Sequence, residues 1–175
     1  MPTDLYTTLQ KAFTKARTDF DLLLPDFQIS AGQEHQALSF MALMLEQNQT
    51  LNLSAITDPE KAIYLHLLDS WTLLPLLDQE ATVKSPDEAL SVLDLGTGAG
   101  FPGVPVKILR PDIDLYLVDA LAKRLKFLDR ALGAIALKQP WQCVHARAED
   151  LGRKAPYRDQ MDLVTARAWP TCLCF

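Results

Sequence analysis

The chain has 175 residues, 49% of them hydrophobic and 22% charged, which fits one globular domain, or one domain with a small helical annex. No run approaches the ~18 uncharged apolar residues of a membrane span, and Asp4, Lys11, Lys15, Arg17 and Asp19 interrupt any signal-peptide core. A cytoplasmic protein without a membrane partner is expected. The three cysteines, Cys143, Cys172 and Cys174, form no disulfide framework, and no second Cys or His pair lies near them to complete a zinc site. Reduced thiols and no metal are therefore expected. The net charge of −5 argues weakly against a nucleic-acid partner, but its distribution does not. Residues 1–100 hold 5 Lys+Arg and 14 Asp+Glu, whereas residues 101–175 hold 12 and 8. The basic half can present one face to phosphates, or simply be an unevenly charged surface.

Residues 1–89 read as a helical segment. Leu5, Leu9, Ala12, Phe13 and Ala16 recur at helical spacing before a break near Pro25. Gln33 to Gln47 forms a second helix, with Ala37, Phe40, Met41, Met44 and Leu45 on one stripe. Asp58, Pro59 and Glu60 are a helix start: a cap, then proline in the first turn, then an acid at the positive dipole end. That helix runs through Ile63, Leu67 and Leu68 towards Trp71. Asp78 to Ala89, charged and carrying Pro86, reads as a linker.

The texture changes at Leu90, and residues 90–175 read as an α/β core. Short apolar strands are predicted at Ser91–Leu95, Leu115–Asp119, Trp141–His145 and Met161–Thr165. Between them, Val104–Leu109 and Ala122–Gly133 are helix-compatible, the latter with Leu125, Leu128 and Leu132 on one side. Strands alternating with helices imply βαβ units and a mostly parallel, doubly wound sheet, whose strands are apolar because helices cover both faces. The three tryptophans, Trp71, Trp141 and Trp169, read as core rather than as stacking platforms.

Ligands of such sheets bind at the carboxyl ends of the strands. The loop after the first strand carries Gly96, Gly98 and Gly100 as G-x-G-x-G, with Phe101 where a dinucleotide fingerprint needs its third glycine. That pattern disfavours a nicotinamide dehydrogenase. It suits a nucleoside cofactor without a pyrophosphate, which needs backbone free of Cβ atoms at close approach. Asp94 either orders the loop or meets an ammonium group. Asp119 closes the second strand, where a carboxylate can accept from ribose hydroxyls.

Five stretches together resemble a known family: Asn52 to Ile56, His66 to Ser70, Asp94 to Gly103, Arg147 to Glu149, and Val164 to Ala168. The chain resembles the bacterial ribosomal RNA small-subunit methyltransferase G family, also called glucose-inhibited division protein B. The resemblance implies a class I S-adenosylmethionine-dependent, Rossmann-like methyltransferase acting on N7 of a guanine in 16S ribosomal RNA within the small ribosomal subunit. It assigns Gly96 and Phe101 to loop contacts with the cofactor, and Ala148 and Glu149 to the adenine side. It puts Arg167 close to cofactor and target base, and makes Asp119 the ribose acid. The family's Trp-Asn pair is Gln47 and Asn48 here. The family fold continues past residue 168 with further helices and strands, so a truncated chain lacking the last strands, and weakly active or inactive, is expected.

Guanine N7 carries an in-plane lone pair and no proton. The implied chemistry needs positioning rather than a general base, and no catalytic residue is expected. Thr165 to Arg167 stands where exocyclic-amine methyltransferases carry Asp-Pro-Pro-Tyr or Asn-Pro-Pro-Tyr. His66 and Asp69, three apart on one helix face, either shape the substrate pocket or make a helix–helix contact. Arg167 either meets the substrate or forms a salt bridge. Asn52 is read as a cap or turn residue. Lys123, Arg124, Lys126 and Arg130 either reach phosphates or form a solvated face. A monomer is expected. The alternatives are a methyltransferase of a small molecule or protein, and an inactive fragment that keeps part of the cofactor site.

Overall fold

The computed structural model describes residues 3–85, 88–153, 157 and 160–167; Trp169, Cys172 and Cys174 lie outside them. Two long helices open the chain, α1 (Thr3–Leu23) and α2 (Ala31–Leu51). The second begins on a capping box: Ser30 Oγ accepts from Gln33 N at 3.3 Å, and Gln33 Oε1 accepts from Ser30 N at 3.0 Å. It ends on Asn52, in the left-handed region at φ 49°, whose N–H donates to Asn48 O. Asn52 is thus the cap that its side chain favours.

Asp58 starts the next helical stretch by accepting from Lys61 N at 2.8 Å. One continuous run follows, made of α3 (Pro59–Ala62), a π turn (Ile63–Leu68) and α4 (Asp69–Trp71). Helix α5 (Leu74–Ala81) takes the first four residues of the predicted linker, because Leu74 and Leu77 are fully buried and anchor that turn. Phe13 and Phe20 meet Trp71 edge-on at 6.0 and 5.2 Å, and Trp71 Nε1 donates to Pro105 O at 2.8 Å. That indole is core, and it bolts the helical segment to the α/β part.

The α/β part has strands β1 (Ser91–Leu95), β2 (Asp114–Asp119), β3 (Trp141–His145) and β4 (Leu163–Ala166). Helices α6 (Gly103–Leu109), α7 (Ala122–Ala134) and α8 (Ala148–Leu151) connect them. All pairs are parallel, in the order β3-β2-β1-β4. The chain steps outward from β1 to β3, then returns to the other side of β1, so the topological switch point lies between β1 and β4. Side chains alternate between the two faces. Val92, Leu115 and Leu117 join a large core with α1, α2, α6 and α7, while Leu93, Leu95 and Val118 join a smaller one with Ala148 and Leu151 of α8. Both faces are covered, as in a Rossmann-like methyltransferase fold. The large core runs from Leu9 to Leu137 without a break at residue 89.

One buried charge escaped the sequence reading. Lys107 is fully buried in the apolar helix α6. Its Nζ donates to Pro111 O at 3.1 Å and to Ile113 O, and burial lowers its pKa. The ammonium ties the end of α6 to the turn that starts β2.

Candidate functional site

Register decides which loops meet. Leu95 pairs with Ala166 and with Val118, and Asp119 pairs with His145. Gly96, Arg167, Ala120 and Ala146 therefore leave the sheet side by side at its carboxyl edge. Two hollows open there. One, of about 350 Å³, is lined by Ser54, His66, Gly96, Gly98, Phe101, Arg124 and Arg167 among others. The other, of about 320 Å³, is lined by Gly96, Asp119, Leu121, Arg124, Ala148 and Glu149 among others. They share Gly96 and Arg124. Larger depressions between α2 and α7, and beside Tyr64 and Leu65, touch no strand end, and strand ends are where open parallel sheets bind ligands.

Asp94 sits below the loop, not in it. It is fully buried, and its Oδ2 accepts from Thr97 Oγ1 at 2.7 Å and from Gly103 N at 3.0 Å. Oδ1 accepts from Thr165 Oγ1 at 3.3 Å. Of its two expected roles, these bonds are those of loop ordering: one carboxylate holds both ends of the glycine loop and the start of α6. Burial pushes its pKa up to about 6, against the opposing hydrogen bonds.

The three glycines differ. All have positive φ: 70° at Gly96, 59° at Gly98 and 98° at Gly100. A Cβ on Gly98 would meet nothing closer than Gly96 O at 3.8 Å, so its missing side chain leaves open space in the hollow. A Cβ on Gly100 would come within 2.8 Å of Leu128 Cδ2 and 2.9 Å of both Phe40 Cζ and Val104 Cγ2. Gly100 lines neither hollow; its small size serves packing of the loop onto α2, α6 and α7. Phe101, 5% exposed, meets Phe40 edge-on at 5.6 Å and lies flat against His66.

Asp119 is 4% exposed. Its Oδ2 accepts from Gly98 N at 3.0 Å and Arg124 Nη1 at 3.3 Å, and its Oδ1 accepts from Leu121 N at 2.8 Å. A carboxylate offers about four acceptor positions, so among the described residues one remains for a ligand hydroxyl. Among the described residues, nothing accepts a hydrogen bond from the buried Arg124 Nε. Arg124 thus belongs to the site itself rather than to the row of outer lysines, which sequence spacing alone did not separate. Lys123, Lys126 and Arg130 are exposed on α7. Ala148 is buried and Glu149 exposed at the start of α8, on the outer side of the second hollow.

The three expected substrate residues, His66, Asp69 and Arg167, converge. Arg167 Nη2 donates to Leu65 O and lies 3.2 Å from His66 Nδ1, and Nη1 forms an ion pair with Asp69 Oδ2 at 3.1 Å. Salt bridge and hollow lining thus coexist in one guanidinium. Burial first, and the Arg167 charge second, push the His66 pKa down to about 4, against a smaller opposing effect of Asp69. Ser54, whose Oγ lies 2.8 Å from His66 Nε2, was visible in sequence only as part of a family string. Among the described residues, no three His, Cys, Asp or Glu side chains are placed to hold a metal, and no helix is long and apolar enough to cross a membrane. Cys143 is a free thiol, pushed by burial up to about 11.

Comparison with known proteins agrees with this geometry. The family model described as rRNA small subunit methyltransferase G matches residues 33–172. The chain is 41% identical over 143 residues to the ribosomal RNA small subunit methyltransferase G of Desulfitobacterium hafniense, covering 82% of this chain and 55% of that protein. To the protein of the same name from Desulforamulus reducens it is 39% identical over 168 residues, covering 94% and 62%. To that from Acetivibrio thermocellus it is 38% identical over 160 residues, covering 91% and 60%. The chain therefore spans 55–62% of the length of these relatives. A family model covering most of the chain, relatives near two-fifths identity and a parallel sheet with a glycine loop at its switch point lead to one conclusion: the chain belongs to the rRNA small subunit methyltransferase G family.

Proposed function

We propose that the protein of which this chain forms all or part is an S-adenosylmethionine-dependent methyltransferase acting on N7 of a guanine in 16S ribosomal RNA. The names of its relatives support ribosomal RNA as substrate. The observation that carries the reading is the pair of hollows joined at Gly96 and Arg124. One is bounded by a strand-end carboxylate, as a ribose requires. The other is bounded by a guanidinium, which is suited to a planar base.

The residues fit the cofactor. Asp119 retains an acceptor position, Gly98 leaves open space above it, and Ala148 and Glu149 flank the same hollow. When bound, S-adenosylmethionine supplies a methyl group activated on a sulfonium sulfur. Guanine N7 carries a lone pair and no proton, so its methylation would need no general base. The protein's task is then to hold base and loop in line and limit water. Asp94 fixes the loop, Phe101 walls the first hollow, and Arg167 with His66 and Asp69 faces the base. Lys123, Lys126 and Arg130 offer exposed cations beside it for RNA phosphates. A cytoplasmic monomer without a metal completes the proposal.

The test is calorimetry of the protein with S-adenosylhomocysteine and with NAD, followed by methyl transfer from labelled cofactor to undermethylated small ribosomal subunits. Binding of the S-adenosyl ligand and label at guanine N7 are expected. Binding of NAD alone, or label elsewhere, would overturn the reading.

A further inference from the structure

Side chains from three separate stretches form one line of hydrogen bonds that ends in the first hollow. Asn48, buried in the last turns of α2, clamps Ser54 twice: Oδ1 accepts from Ser54 N, and Nδ2 donates to Ser54 O, each at 2.8 Å. Ser54 Oγ accepts from Ile56 N at 3.0 Å and lies 2.8 Å from His66 Nε2. His66 Nδ1 faces Arg167 Nη2 at 3.2 Å. A guanidinium only donates, so Nδ1 must be the acceptor. The ring proton then resides on Nε2 and points to Ser54 Oγ. The ring plane is held independently by Phe101, which is parallel to it within 8°. Leu65 O accepts a further guanidinium N–H, and Asp69 Oδ2 lies 3.1 Å from Nη1 as an ion pair.

We propose that His66 is a positioning residue: held at Nε2 by Ser54, which Asn48 clamps, and in the Nε2–H form that a donor-only guanidinium requires, it accepts from Arg167 and fixes that guanidinium against the substrate base. The role of Arg167 rests on the function proposed above; the tautomer and the hydrogen bond do not. The imidazole touches no reacting atom. It limits the orientations of a long side chain whose other freedom is large, so that the guanidinium is preorganised when the base arrives.

Two measurements on the full protein test this. The first is the nitrogen-15 spectrum of labelled histidine at neutral pH, in wild type and in Arg167→Ala. The expected result is a neutral Nε2–H imidazole whose Nδ1 resonance moves when the arginine is removed. An Nδ1–H tautomer, an imidazolium, or an unmoved resonance would overturn the proposal. The second compares His66→Asn with His66→Gln. An asparagine places its amide near the former Nδ1 and can accept from Arg167, whereas a glutamine places it near the former Nε2. The KM for undermethylated small subunits should rise about tenfold more in His66→Gln than in His66→Asn, the change expected for one lost charge-assisted hydrogen bond, with cofactor affinity similar in both. Equal rises, or a larger one in the asparagine variant, would reduce His66 to a space-filling side chain. If the wild-type protein methylates no RNA, the functional reading fails, and the histidine spectrum still decides the positioning bond.

Discussion

The imidazole of His66 lies flat on the ring of Phe101, with centroids 4.5 Å apart and planes 8° from parallel. One residue comes from the π turn of the helical segment and the other from the glycine loop, so this contact seals the first hollow across two regions of the chain. Phe101 also meets Phe40, and it is 5% exposed. Phe101→Ala should therefore cost about 3–5 kcal/mol of stability, as for other buried aromatic truncations. Phe101→Leu should cost less than half of that. Urea unfolding of both variants checks the ranking; equal losses would show that ring stacking and shape contribute nothing.

Gly98 and Gly100 should respond differently to the same added methyl. Gly98→Ala meets no close atom but must keep a left-handed backbone, which costs roughly 1–2 kcal/mol. Gly100→Ala adds three contacts under 3.0 Å to its strained φ, and a loss of roughly 2–5 kcal/mol is expected, the overpacking cost of ~1–3 added to the backbone cost of ~1–2. With Gly98→Val, S-adenosylhomocysteine binding should disappear from calorimetry while circular dichroism keeps its wild-type shape. Retained affinity in that variant would place the cofactor elsewhere.

Asp119 holds three donors and one free acceptor position. Asp119→Asn turns one oxygen into a donor facing Gly98 N, Arg124 or Leu121 N. It should weaken S-adenosylhomocysteine binding by ten- to a hundredfold, roughly the 1.5–3 kcal/mol of one charged hydrogen bond. Unchanged affinity would remove Asp119 from the ribose site.

Two buried titratable groups bracket the loop with opposite signs. His66, pushed from 6.5 to about 4, stays neutral in the fold while the unfolded chain gains a proton between those values. Its contribution to stability is fully present above the unfolded pKa and is lost as the pH falls towards 4. Asp94, raised from 3.8 to about 6, keeps its proton after the unfolded chain has lost it. Its contribution is fully present below 3.8 and is lost as the pH rises through 6. Between pH 4 and 6 the two slopes oppose each other. His66→Asn removes only the first, so its stability relative to wild type should fall as the pH rises over that window, by at most roughly 1.4 kcal/mol per pH unit. Parallel curves for variant and wild type would contradict the neutral, buried state of His66.

The parallel sheet was legible because each strand is a short apolar run followed by a turn signal: Ser91–Leu95 before Gly96, and Leu115–Asp119 before α7. The glycine loop and Asp119 were legible together because the strand order forces them to one edge. The π turn was not, since Ile63, Leu67 and Leu68 keep apolar spacing in either winding. Nor was the difference between Gly98 and Gly100, which depends on Phe40 in a helix far away in sequence. Arg124 looked like one of four cations on a helix; only its angle on α7 takes it inward to Asp119. The line from Asn48 to Arg167 joins residues that no local pattern relates.

The packing of Gly100 against Phe40 also sets an order of events during synthesis. Helix α2 leaves the ribosome well before the loop that will cover it, so its apolar stripe of Phe40, Met41 and Met44 waits for the glycine loop, α6 and α7 to arrive. A nascent chain at that stage carries exposed surface of the kind that recruits chaperones or finds wrong partners. The glycine that lets the loop settle on Phe40 shortens that interval, which closes only when Phe127 of α7 also packs on Phe40.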